Sequence, residues 1–134
     1  MERWLRDRDY AAEDVADAVE RLVAAGLLDD EKFAAAFARS RILDRKLSRR
    51  RTEAELLRRG VRRSVADAAV AAVFSDEGVS EDAVIDAAVR KRLRAVAGRP
   101  AVDQERRLIA YLARRGFGGG AAKAAVRRVL QDEA

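Results

Sequence analysis

The sequence contains no cysteine and no histidine. Without thiols there is no disulfide framework, no thiolate metal site and no cysteine nucleophile. Without imidazole there is no histidine general base, no Ser-His-Asp triad and no imidazole ligand for a metal. Most hydrolase and metalloenzyme chemistries are excluded by these two absences, and the chain is not expected to be an enzyme. There is a single proline, and aromatic residues make up only 5% of the chain, which argues against a sheet protein. The longest apolar run, Ala68 to Phe74, is too short to span a membrane. The opening residues Met1-Glu2-Arg3-Trp4-Leu5-Arg6-Asp7-Arg8 are charged from the start, unlike a secretory signal. The expected compartment is the cytoplasm, with no membrane partner.

What remains is 134 residues, 49% hydrophobic and 38% charged. That is enough apolar material for a real core and too much for a disordered chain. The net charge of +5 is unevenly distributed. Residues 1–40 carry 6 basic and 10 acidic side chains; residues 41–63 carry 10 and 3; residues 64–88 carry 0 and 6; residues 89–128 carry 12 and 2. Two strongly basic segments thus alternate with two acidic ones, which bears on partners rather than on fold.

Apolar residues recur at helical spacing throughout, and the spacing predicts helices over 2–8, 11–25, 30–45, 49–59, 65–74, 81–97, 104–115 and 121–131. Gly26, Gly60, Gly98 and Gly116 each follow a periodic segment, as helix-ending glycines do. Asp29, Ser64 with Asp67, Ser80 and Asp103 stand where helix starts are expected, and Pro100 lies in a connector. Stripes such as Val15-Ala18-Val19-Leu22-Val23, together with Phe33, Phe37, Ile42 and Phe74, read as core. Gly118-Gly119-Gly120 follows no strand and lacks the Lys-Ser/Thr of a phosphate loop, so it reads as a flexible turn and no cofactor is expected. The acidic pairs Asp29-Asp30 and Glu81-Asp82 are explained by helix capping rather than by catalysis or metal binding.

The chain also repeats itself. With Asp9, Gly60 and Gly116 as register points, a leucine stands four residues before each: Leu5, Leu56 and Leu112. Tyr10, Val61 and Phe117 follow by one residue; Ala18, Ala69 and Ala125 by nine; Val19, Val70 and Val126 by ten. Leu22, Val73 and Val129 follow by thirteen, and Val23, Phe74 and Leu130 by fourteen. Those offsets share one helical face. The unit is a helix, a second helix, a tight turn and a third helix. The expected fold is all-α, an elongated array, straight or curved, of about two and two-thirds tandem three-helix repeats. Residues 2–28 form an incomplete first repeat lacking its first helix, 29–78 the second and 79–134 the third. Trp4, at the truncated end, is expected to be less buried than its type suggests.

Three segments carry a resemblance: LVAAGLLDDEKFAAAFARSR from Leu22 to Arg41, AELLRRGV from Ala54 to Val61, and YLARRGF from Tyr111 to Phe117. They resemble the RecX family of bacterial recombinase regulators, from about Trp4 to Leu130. The chain is expected to be a monomer, and the resemblance implies a regulator of tandem three-helix repeats with no catalytic activity of its own. It further implies that the chain lies in the groove of the RecA–DNA filament, contacts more than one protomer and limits filament activity. Three features depart from the family pattern: the missing opening helix, Asp9 at the first register point, and Ser48 and Thr52 where the family usually has a glycine and an apolar residue.

The candidate partner- and DNA-binding residues come from the two basic segments: Arg41, Arg45, Lys46, Arg49, Arg50, Arg51, Arg58, Arg59, Arg62 and Arg63 from the first, and Arg90, Lys91, Arg94, Arg114 and Arg115 from the second. Arg49-Arg50-Arg51 open a helix, where cations oppose the macrodipole and where backbone N–H groups favour an anion. A phosphate or an acidic side chain is the expected occupant. Arg58-Arg59 and Arg114-Arg115 stand before equivalent glycines, where capping explains part of their presence. The surface as a whole suits a phosphate backbone, single- or double-stranded, or an acidic protein groove. Two other functions fit the same residues: a basic helical module that binds DNA directly, and a decayed scaffold-type paralogue.

Overall fold

The structure is a computed structural model and describes residues 12–133. Six α-helices account for most of it: α1 (Ala12–Arg39), α2 (Arg49–Arg58), α3 (Arg63–Glu77), α4 (Glu81–Val96), α5 (Ala101–Arg114) and α6 (Gly119–Glu133). There is no strand among the described residues. The chain divides into two compact units, residues 1–33 and 34–134. The expected helix over 2–8, Trp4 and Tyr10 lie outside the described residues.

In the first unit, residues 12–33 are helical throughout. The sequence predicts a break at Gly26, and none occurs. Gly26 does not take a positive φ, and Ala24, Ala25, Leu27 and Leu28 around it are good helix formers. A single interior glycine costs only about 1 kcal/mol against such neighbours. Asp29 and Asp30 are therefore interior helical residues and not a helix start. Leu22, Leu28 and Phe33 are exposed, so the expected core role of Leu22 and Phe33 does not hold.

The second unit begins inside α1. Past Arg39 the helix widens into a single π-helical turn, Ser40–Asp44, in which the Arg45 N–H donates to the Ser40 carbonyl at 3.1 Å. Ser48 then caps α2, its hydroxyl accepting from the Arg51 N–H at 3.0 Å. Ser80 caps α4 in the same way, with the Ala83 N–H at 3.1 Å. Two other expected caps fall inside helices. α3 starts from Arg62, so Ser64 lies within it. α5 starts from Pro100, whose fixed φ suits a helix entry, so Asp103 lies in the first turn. Gly78, left-handed at φ 62°, ends α3 three residues later than the apolar pattern predicts. Gly119 and Gly120 are the opening residues of α6 rather than a flexible turn.

The repeat is visible in the packing and in the backbone. Leu56 and Leu112 are fully buried; Val61 and Phe117, Ala69 and Ala125, Val70 and Val126, and Val73 and Val129 are buried pairwise. Fifty-six residues apart, the same hydrogen bonds recur. The Val61 N–H donates to the Leu56 carbonyl at 3.1 Å, and Phe117 to Leu112 at 3.0 Å; Gly60 donates to Leu57 and Gly116 to Ala113, both at 3.0 Å. Gly60 and Gly116 stand at φ 87° and 93°, which only glycine adopts cheaply. The core residues of the two repeats, from Ala34 and Ile42 to Val126 and Val129, form one cluster.

Thr52 occupies the place that Leu108 has in the third repeat. Both are fully buried. The threonine hydroxyl is satisfied by donating to the Ser48 carbonyl at 2.8 Å, so a polar residue fits an apolar position without an orphaned group.

Candidate functional site

The start of α2 and the turn after α5 meet. The Ser48 N–H donates to the Arg115 carbonyl at 3.0 Å, and the Arg115 guanidinium donates to the Arg45 carbonyl at 2.9 Å. Arg51 Nη1 donates to the Arg114 carbonyl. Gly116 makes this approach possible: a Cβ there would stand 2.7 Å from Arg51 Cβ and would also collide with the Ser48 hydroxyl.

Five arginines line the clefts at this seam. Leu47, Arg51, Arg92, Tyr111, Arg114 and Arg115 line a cleft of about 340 Å³. A second cleft of about 260 Å³ shares Arg92 and Arg114 and adds Ala95, Val96, Arg107 and Ala110. No carboxylate lines either one. Tyr111 is buried at the floor, with the Arg92 and Arg115 guanidinium carbons 5.2 and 5.1 Å from its ring centroid. Arginine over an aromatic face keeps its charge and its outward N–H groups while its position is fixed. Arg107 is anchored by Asp103, Nε to Oδ2 at 3.1 Å, and hydrogen bonds from Arg106 and Arg107 hold the Asp103 carboxyl below the usual range. Arg51, Arg92, Arg114 and Arg115 make no ion pair among the described residues.

The other candidates are placed elsewhere. Arg41 and Arg59 both stand over the Phe37 ring, 4.3 and 4.8 Å from its centroid. Arg41 also pairs with Glu55 at 3.4 Å, though without hydrogen-bond alignment, which leaves Glu55 Oε2 buried and without a hydrogen bond. Lys46 folds onto its own turn and donates to the Leu43 carbonyl. Arg63 pairs with Glu53 at 3.7 Å; a hydrogen bond to Asp67, then burial, pushes the Glu53 carboxyl up from its ordinary value. Arg90 pairs with Asp132 at 3.3 Å and Glu133 at 4.0 Å, which ties α4 to the end of α6. Arg50, Arg58, Arg62, Lys91 and Arg94 are exposed. Of the expected cluster, the seam therefore gathers Arg51, Arg114 and Arg115, with Arg45 contributing its carbonyl.

Arg49 shows what holds the α2 N-terminus. Its guanidinium lies 4.7 Å from the Phe74 ring centroid. The Glu81 carboxylate approaches both its charge and its backbone N–H, yet burial dominates and pushes the Glu81 carboxyl up from its ordinary value. The acidic occupant expected at this helix start is thus a residue of the chain itself. Ser48 takes one further N–H of that turn, that of Arg51.

Arg92 and Arg107 were not among the residues expected from sequence. A signal for Arg107 was present: Arg107, Tyr111 and Arg115 are spaced i, i+4, i+8 and share one face of α5 and its cap. Arg92 reaches the cleft from α4, and no local spacing announces that.

Among the described residues, no helix is long and apolar enough to cross a membrane, and no group of three or more acidic side chains is placed to hold a metal ion.

Fold and seam together define an all-α protein of tandem three-helix repeats with an arginine-lined junction. Residues 29–70 match the family model described as RecX, second three-helix domain. The chain is 39% identical over 132 residues to the Regulatory protein RecX of Thermobifida fusca (strain YX), covering 96% of this chain and 68% of that protein. It is 35% identical over 129 residues to its counterpart in Streptomyces coelicolor, covering 96% and 67%. With the one from Amycolatopsis mediterranei the identity is 33% over 135 residues, covering 98% and 74%. The chain belongs to the RecX family. No solved structure matches it.

Proposed function

We propose that this chain binds RecA-coated DNA filaments and restrains their activity through the basic surfaces of its second and third repeats. It acts as a monomer, in the cytoplasm and without chemistry of its own. In this reading residues 29–78 and 79–134 are those two repeats. Family membership supplies the partner. The single observation that supports the mode of binding is the junction at which Arg51, Arg92, Arg114 and Arg115 converge with no carboxylate in the lining. Clustered guanidinium groups facing solvent suit an anionic partner, steer its approach and fix its register.

The test is RecA-driven ATP hydrolysis on single-stranded DNA with the full chain added. Turnover is expected to fall as the chain approaches the RecA concentration, with filaments shortening in electron micrographs. Unchanged turnover and unchanged filament length would sink the proposal.

A further inference from the structure

We infer that the two clefts at the seam form one binding site for the phosphodiester backbone of a nucleic-acid strand, and that the site exists only while the second and third repeats are docked. It deepens the reading given under Proposed function by naming the ligand of that surface. Arg51 comes from the second repeat, and Arg92, Arg107, Arg114 and Arg115 from the third. Because the clefts share Arg92 and Arg114, a strand leaving one enters the other.

Three observations favour phosphodiesters over an acidic protein segment. The lining holds five arginines and no acid, which matches a ligand with an anion in every unit and nothing cationic to satisfy. The Arg92 and Arg107 guanidinium groups are held in place by Tyr111 and by the Asp103 carboxylate, while Arg51 and Arg115 each give one N–H to a backbone carbonyl and keep their remaining N–H groups for phosphate oxygens. And Tyr111 is buried, with the Arg92 and Arg115 guanidinium groups against its ring, so bases find no aromatic platform there. The site therefore contacts the backbone and is indifferent to sequence. Docking brings like charges together across the seam, and a bound polyanion relieves that repulsion. Occupancy and repeat docking consequently stabilise each other.

The experiment is fluorescence anisotropy of the full chain against a short oligothymidylate, an abasic deoxyribose-phosphate strand of equal length, and a polyglutamate peptide of equal charge, over a range of salt. The two strands are expected to bind alike, and polyglutamate distinctly more weakly. The Arg92→Gln/Arg114→Gln double variant is expected to flatten the slope of log affinity against log salt by about 1.4, or ~0.7 for each phosphate lost from a single strand. The charge-matched control Lys123→Gln/Arg127→Gln, outside the clefts, keeps the slope. If the double variant loses helicity, Arg114→Gln alone is expected to give half the change. The oligonucleotide should also raise the melting temperature of the parent chain and not that of the cleft variant. Equal loss in both double variants, a preference for the base-bearing strand, or polyglutamate binding as tightly as DNA would each overturn the inference. A chain that binds no oligonucleotide yet still slows RecA defeats this inference alone. One that binds strands through the cleft but leaves RecA untouched defeats only the function proposed above.

Discussion

At the residue scale, the start of α2 shows how the protein offsets its own charge pattern. Three arginines sit where a helix prefers carboxylates, and Glu81 of the following repeat supplies one. That carboxylate is partly desolvated, and burial outweighs its attraction to Arg49. Its folded pKa therefore lies above its unfolded one, and the native state binds the extra proton. Stability from this group is present below its ordinary value of 4.5 and is lost as pH rises through the raised value. Glu81→Gln removes that dependence. Relative to the parent, the variant is expected to gain stability as pH rises from about 4 towards neutrality, measured by urea titrations at several pH values. A constant difference between the two proteins would contradict the assignment. Thr52 is a second test. Thr52→Val keeps the volume and removes only the hydroxyl that donates to the Ser48 carbonyl, which still accepts from the Thr52 N–H at 3.0 Å. The expected cost is at most about 1 kcal/mol in chemical denaturation. A loss of several kcal/mol would mean that the hydroxyl does more than satisfy itself.

Elements carry the contrast between glycines that look alike in sequence. Gly60 and Gly116 end equivalent helices with nearly equal φ. An added Cβ at Gly60 meets open space, whereas at Gly116 it strikes Ser48 and Arg51. Gly60→Ala is expected to cost the left-handed penalty, about 1–2 kcal/mol. Gly116→Ala should cost roughly 1–3 kcal/mol more, because the seam must open to admit a methyl group. Equal losses in thermal denaturation would mean that the seam is not packed as described. Gly26 makes the opposite case: as an interior helical residue with nothing within 4 Å of its would-be Cβ, Gly26→Ala should raise helicity by circular dichroism and add about 0.5–1 kcal/mol of helix stability. A drop in helicity would restore the break that the sequence suggests. These cases show how far local pattern reaches. Ser80, Gly60, Gly98 and Gly116 were legible because each cap or turn is specified by residues within one helical turn. Ser64, Asp103 and Gly26 were misread because neighbouring helix formers and Pro100 decided the boundaries instead.

On the scale of the molecule, charge blocks in the sequence show which segments are basic but not the pairings within them. Arg90 and Arg92 are two positions apart on α4, yet one is neutralised by the end of α6 and the other stands over Tyr111. Which side a helix turns to its neighbours is settled by long-range packing, and no spacing rule for arginine contains it. The same long-range packing bears on how the second and third repeats unfold. In tandem arrays each repeat contributes its own stability plus an interface term, and a strong interface makes neighbours melt together. Here the buried residues of both repeats belong to one cluster, and the seam adds hydrogen bonds from Ser48, Arg51 and Arg115. Leu56 and Leu112 are equivalent and fully buried, one in each repeat. Leu56→Ala and Leu112→Ala should each remove about 2–5 kcal/mol. If residues 34–134 unfold as one body, either variant lowers the same single transition, and calorimetric and van't Hoff enthalpies stay equal. If the repeats are independent, each variant instead splits the curve, melting about half of the helical signal early and leaving the rest at the parent temperature.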